Sequence, residues 1–190
     1  ENVLKTAAEY NETSHGSDCA DLIGVNMEGP FISKVKKGAQ DERNIIPCNE
    51  QVLERFLKAS NGLVKFIGIS PEESDNSIEF IKNVKDKVNV SLAHTNSDYD
   101  TAMKAFAAGA NHAVHLYNAM PPFTHRASGV VGAVSDSENV MAEIICDGIH
   151  IRPEVINIFF MSKGPDYAVM VSDSMSAKAF KGTDFYLGGE

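Results

Sequence analysis

Apolar positions along the chain follow two alternating rhythms. One is a short, nearly continuous apolar run that closes on a polar or turn residue. The other is a stripe at helical spacing. The runs GVNMEGPF, LVKFIGIS, VNVSLAHT, HAVHLYN, NVMAEIICDG and YAVMVSD are strand-like. Continuous runs, rather than strict alternation, suit strands covered on both faces, as in a parallel sheet. The first strand is expected from DCADLIGVNMEGPFI. Residues 1–14 predict a helix with Val3, Leu4, Ala7 and Ala8 on one face. CNEQVLERFLKASNG predicts an amphipathic helix striped by Val52, Leu53, Phe56 and Leu57, stopped by Asn61-Gly62. SPEESDNSIEFIKNVKDK begins another. SDYDTAMKAFAAGA is helical, with Ser97 or Asp98 as its cap, and RPEVINIFFMSKG places Pro153 in a first helical turn. Two loops stand out: the polar, basic KVKKGAQDERNIIP, and a long one from Ala119 to about Gly132 carrying two prolines and two glycines.

The order is β-α repeated, without hairpin signals, so a parallel α/β architecture is favoured. Strand-end markers are Glu28, Ser70, His94, His115, Asp147 and Asp173, spaced 21 to 42 residues apart. Six such units make a doubly wound sheet or most of a (β/α)8 barrel, and both folds build their sites at the carboxyl ends of the strands. No GxGxxG or GxxxxGK[ST] is present, which weakens nucleotide-binding readings. A full barrel takes about 250 residues, so two strands of one are expected to lie outside these 190 residues.

Composition narrows the function. At 190 residues one core is the simplest reading. A net charge of −9 leaves no basic excess for a nucleic-acid backbone, though a small phosphorylated substrate needs only one or two cations. Cys19, Cys48 and Cys146 are far apart and form no CxxC, so neither a zinc knuckle nor a disulfide framework is expected. Cys146 reads as a small buried residue in a strand. A cytoplasmic setting fits these cysteines, with no signal peptide and no apolar stretch of the ~18 residues a membrane span needs.

The candidate chemistry sits on the strand ends. Glu28, His94 and His115 make a two-histidine, one-carboxylate set able to bind a divalent metal, and catalytic zinc typically takes three protein ligands. Such a metal makes water acidic enough to supply hydroxide near neutral pH. Asp173 ends YAVMVSD and is either a proton-transfer group or a helix N-cap before SMSAKAF. His150 either meets substrate or is a structural loop histidine. Asp147 is either a turn residue or the orienter of a neighbour. Arg126 suits a phosphate; Asn118 and the backbone at Ala119 and Met120 could donate to an anion. His112 and His115 are three apart, so in a strand they face opposite ways, and His112 is given no chemical role. His15 is an ordinary loop histidine.

GVNMEGPFISKVKKGAQ, AHTNSDYDTAMKAFAAGANHAVHLYNAMPPFTHRASGVVGAV, CDGIHIRPEVI, VSDSMSA and FYLGGE together resemble N-acetylglucosamine-6-phosphate deacetylases of the metal-dependent amidohydrolase superfamily. The resemblance runs from about Gly24 to Glu190. It implies a partial (β/α)8 TIM-like barrel: residues 1–190 form a single catalytic barrel domain, lacking the first strands and the terminal β-sandwich segments. The implied reaction removes the acetyl group of N-acetylglucosamine 6-phosphate, giving glucosamine 6-phosphate and acetate. By resemblance, Glu28, His94 and His115 hold the metal, with zinc favoured and iron, manganese or cobalt possible. Asp173 is the acid/base and His150 lies near the scissile carbonyl. Asn118, Ala119 and Arg126 bind the sugar phosphate, and the arginine can reach across a homodimer. Gln40 stands where some members carry a substrate-contacting histidine, and Asn26 where a histidine is common. Two other readings stand beside this one: an amidohydrolase acting on a different N-acyl or cyclic amide, and a non-catalytic barrel remnant.

Overall fold

Each apolar run forms a strand, and each strand pairs with the next in the chain. In the computed structural model, which describes residues 1–13, 18, 20–175, 177–178 and 180–185, the strands are β1 (Val25–Phe31), β2 (Val64–Ile69), β3 (Asn89–Leu92), β4 (His112–Ala113), β5 (Met141–Ile145) and β6 (Ala168–Val171). All neighbouring pairs are parallel, in the order β1-β2-β3-β4-β5-β6. A doubly wound sheet reverses direction at a switch point; this one never does. The order is that of consecutive barrel strands, with β1 and β6 at the two edges.

Helix α1 (Asn2–Thr13) precedes β1, and helices α2 (Glu50–Ala59), α3 (Ser77–Val84), α4 (Tyr99–Ala108), α5 (Gly129–Asp136) and α6 (Pro153–Lys163) fill the five connections. Their starts obey local chemistry. The Asn49 side chain accepts from Val52 N at the head of α2, and Asp98, not Ser97, accepts from Thr101 N at the head of α4. On α2, Leu53 is fully buried, with Val52, Phe56 and Leu57 packed beside it. The core continues through Ile67, Ile69, Phe80, Ile81, Leu92 and Ile144. Phe31 of β1 meets Phe80 of α3 edge to face, 5.3 Å between centroids.

Several expectations are corrected. Residues 20–24 are not strand, and Ile23 is 86% exposed. On α1, Leu4 is buried but Val3 is exposed. The strands β3 and β4 stop before His94 and His115, because the chain turns into left-handed backbone at those residues. The stretch Ala119 to Gly132 is not all loop: α5 begins at Gly129. GVVGAVSD has poor helix propensity, but Val130, Val131, Ala133 and Val134 are buried where α5 packs between α4 and α6, and burial wins. Gly132 is required there, since a Cβ would lie 2.3 Å from the Cβ of Ser128. Cys146 is exposed just beyond β5, whereas Cys48 is buried. His15 and Cys19 lie outside the described residues.

Candidate metal centre

Four of the predicted residues share one placement. His94, His115, Asp147 and Asp173 each follow the last residue of their strand by two positions. Three of them are left-handed, with φ of 44° at His94, 31° at His115 and 47° at Asp173. Such backbone costs about 1–3 kcal/mol for a residue other than glycine, and its repetition at three strand ends points to a functional demand. The turn swings each side chain over the mouth of the sheet. Ser33 N, bonded to His94 O at 2.9 Å, holds the first turn, and Leu116 N, bonded to Glu143 O at 2.8 Å, holds the second.

Glu28, on β1, meets both imidazoles. Its Oε1 lies 2.6 Å from His94 Nε2 and 2.9 Å from His115 Nε2, and the two nitrogens are 3.2 Å apart. The Nδ1 of His94 lies 2.7 Å from Lys36 O. A carbonyl only accepts, so Nδ1 carries a proton, and Nε2 is the nitrogen left facing Glu28, where it donates to the carboxylate or, once its proton is lost, can ligate a cation. Gln40 Nε2 donates to the other carboxylate oxygen of Glu28 at 2.9 Å. These three donors fit a metal. Tetrahedral zinc with bonds near 2.0–2.1 Å separates its ligands by about 3.3 Å; the 3.2 Å between the two nitrogens matches, while the 2.6 and 2.9 Å to the carboxylate oxygen are hydrogen-bond lengths that would open around an ion. Two buried imidazoles presenting Nε2 to one carboxylate oxygen also make a nitrogen- and oxygen-donor set of the kind divalent transition metals take.

The electrostatics show the same three groups held together by shared protons, which a metal ion would displace. Hydrogen bonds from His115 and then His94 hold the Glu28 carboxyl far below the usual range, against the opposing effect of burial. Burial disfavours the charged form of His115, but its bond to Glu28 and the Glu28 charge outweigh that, and its pKa is raised. Glu28 is therefore a carboxylate at neutral pH.

The same mouth opens into a cavity of about 470 Å³ lined by Glu28, His94 and His115 together with Gln40, Asn118, Ala119, His150 and Asp173. Sequence-predicted residues from within β1, from beyond the ends of β3, β4, β5 and β6, and from the loop after β1 thus converge; Glu28 sits inside its strand rather than at its end. His150 is held by Asp147, whose Oδ2 lies 2.7 Å from Nδ1 and whose Oδ1 accepts from the backbone of Ile149 and His150 at 2.8 and 2.9 Å. Those bonds, the His150 side chain first, lower the Asp147 carboxyl to about 2. Asp147 is both a turn residue and an orienter. No helix follows Asp173 among the described residues, so its N-cap reading has no support there. Arg126 is not brought to this cavity. It lines another, of about 510 Å³, beside Asp98, Tyr99 and Pro121.

Three supporting residues were missed. Lys36 fixes His94 through its carbonyl, which no side-chain pattern announces. Glu72 accepts from Thr95 Oγ1 and Ser97 Oγ, both at 2.6 Å, and from Asn96 N, pinning the loop that follows His94. Glu143 is the third, and its signal was legible: an acid in the middle of the apolar run MAEII.

No family model matches the chain. It is 37% identical over 172 residues to the N-acetylglucosamine-6-phosphate deacetylase of Bacillus subtilis, covering 90% of this chain and 43% of that protein. The chain is homologous to N-acetylglucosamine-6-phosphate deacetylases. It is also 33% identical to the N-acetylgalactosamine-6-phosphate deacetylase of Shewanella sp. (strain ANA-3), over 96% of this chain and 46% of that one. The Mycobacterium smegmatis N-acetyl-D-glucosamine-6-phosphate deacetylase, solved as a variant in complex with N-acetyl-D-glucosamine-6-phosphate, superposes with a TM-score of 0.86 at 26% identity, over 98% of this chain and 48% of that one. The chain thus spans under half the length of the curated deacetylases it matches, and its six-stranded fold superposes on part of the solved deacetylase.

Proposed function

We propose that this chain carries the metal centre and proton-transfer group of an N-acetylglucosamine-6-phosphate deacetylase. The carrying observation is the convergence of Glu28, His94 and His115 with Asp173 and His150 around one cavity. A divalent cation held by Glu28, His94 and His115, zinc in our reading, would supply a polarised water and a Lewis acid for an amide carbonyl. Asp173 takes the proton lost by water as it adds to that carbonyl. It then delivers a proton to the nitrogen as the carbon–nitrogen bond breaks, so acetate and the free amine leave. His150, fixed at Nδ1 by Asp147, offers Nε2 to the carbonyl oxygen as charge grows there. Asn118, the Ala119 backbone and Gln40 contact the sugar and its phosphate, spending remote binding energy on orientation.

Arg126 stands apart from that cavity. In our reading it serves the phosphate in the site of a second copy, within a homodimer. Residues 1–190 form one catalytic barrel unit in this proposal, and no helix among the described residues is long and apolar enough to cross a membrane.

The likeness to an N-acetylgalactosamine-6-phosphate deacetylase favours one competing reading, the C4-epimeric substrate. Acetate release from both sugar phosphates, with elemental analysis of the same preparation, tests the proposal. One bound divalent metal and faster release from the glucosamine epimer are expected. Faster release from the galactosamine epimer would transfer the assignment. No metal and no acetate would leave a non-catalytic barrel.

A further inference from the structure

Glu143 occupies the centre of β5 and is 8% exposed, and every other residue of that strand is apolar. A carboxylate so deep is tolerated only when its oxygens are engaged. Its partners come from two other strands and a turn. Asn26 Nδ2, on β1, donates to Oε1 at 3.0 Å. His112 Nε2, on β4, lies 2.9 Å from the same oxygen. The backbone N–H of His115 donates to Oε2 at 3.3 Å. None of these contacts is needed to place β5, whose backbone already pairs with β4 and β6.

Each partner is instead one short step from a member of the metal group. Asn26 precedes Glu28 by two positions on β1, so their side chains share a face of the strand. His112 begins the strand that His115 follows. Val114 N still bonds Leu92 O on the β3 side; at His115 the backbone is left-handed and its amide goes to the Glu143 carboxylate on the β5 side. Meanwhile the backbone carbonyl of Glu143 takes Leu116 N at 2.8 Å. One residue therefore grips the His115 turn from both sides. His112 itself is anchored through a single nitrogen, because its Nδ1 has no partner among the described residues and its ring leans on Phe66.

We infer that Glu143 is a positioning residue for the metal centre: its carboxylate ties the His115 turn to β1 so that His115 and Glu28 present their donors at the point His94 reaches. The inference rests on the metal reading proposed above. Its rival is a purely structural role, in which Glu143 only keeps the buried His112 company.

Zinc affinity separates the two, measured by competition with a chromophoric chelator on protein whose circular dichroism shows it folded. Glu143→Gln keeps the shape but puts an N–H where an acceptor stood. The double variant His112→Phe with Glu143→Leu replaces the buried pair by apolar groups of similar size, an exchange that generally preserves folding. It decides the matter should Glu143→Gln fail to fold. Positioning predicts zinc affinity weakened about 10- to 100-fold in each folded variant, as for other residues that orient metal ligands. Unchanged affinity in a folded variant would overturn the role of Glu143 and leave the wild-type centre standing. A wild-type chain that binds no zinc would overturn the metal reading, and this inference with it.

Discussion

The mouth of the sheet has two unlike halves. On the β3 and β4 side, the side chains of His94 and His115 are 11% and 5% exposed, and their backbone and ring nitrogens, His115 Nδ1 apart, are tied to Lys36, Ser33, Glu143 and the 38%-exposed Glu28. On the β5 and β6 side, His150 and Asp147 are 48% and 36% exposed and hold mainly each other, with Asp173 open to solvent beside them. The difference follows from what each half must do. Ligands for a cation gain from being fixed before the cation arrives, because ordering them costs nothing at the moment of binding. Groups that exchange protons with water and substrate have to be reached, and reach requires exposure.

The sharpest way to break this comparison is to remove a residue from the buried half. His94→Ala is expected to abolish stoichiometric metal after dialysis and to reduce acetate release to background, read by elemental analysis and the release assay. Metal retained at wild-type stoichiometry would mean that the buried half is not the binding half. Asp173→Asn probes the other side. It keeps the size of the side chain but cannot accept the proton, so turnover should fall by about 10²–10⁴-fold while metal content stays at the wild-type level. Loss of metal in Asp173→Asn would erase the division between the halves.

Chelation gives a smaller and more graded test. A ligand present at 100 times its dissociation constant stabilises the folded state by about 2.7 kcal/mol. Removing the metal should therefore lower the thermal midpoint. It should also raise amide hydrogen exchange at residues 93–96 and 114–117 more than at residues 146–150. Equal acceleration in both segments would show that the cation organises the whole mouth rather than one half of it.

The two halves also differ in how far they could be read from the sequence. Glu28, His94, His115 and Asp173 stood out because polar residues close apolar runs, a signal that the periodicity of buried strands makes visible. Their convergence followed from the β-α order, which puts all strand ends on one side. What held them could not be read so easily. The bond from Lys36 to His94 uses a backbone carbonyl, and backbone groups leave no trace in residue identity. The left-handed turns at His94 and His115 cut two predicted strands short, since nothing in AHT or VHL distinguishes a strand residue from a turn residue. In α5, packing against α4 and α6 overrode two glycines and three valines, a tertiary effect that local propensity cannot anticipate. Arg126 was a phosphate candidate by residue type and by the family resemblance, and the fold of its own chain carries it to a different cavity.

The mildest test concerns Asp147, where the exposed half has its own organisation. Its carboxylate accepts from the His150 ring and from two backbone amides, and the carboxyl is lowered to about 2 from an ordinary 3.8. A depressed carboxyl stabilises the folded turn above its unfolded value and loses that contribution as pH falls through its folded value. The clasp on His150 should thus be complete above about pH 4 and open only near pH 2, with no effect across the neutral range. Carboxyl-carbon NMR of Asp147 should titrate near 2; a midpoint close to 4 would mean that the clasp is not formed in solution. Asp147→Asn leaves an amide that can still cap the turn but cannot offer two anionic oxygens. About a tenfold loss in kcat is expected, with metal content untouched and KM little changed, since His150 would meet the carbonyl mainly as charge develops there. A larger rise in KM than fall in kcat would instead assign His150 to holding the ground-state sugar. The exposed half would then be divided between Asp173 for chemistry and His150 for binding.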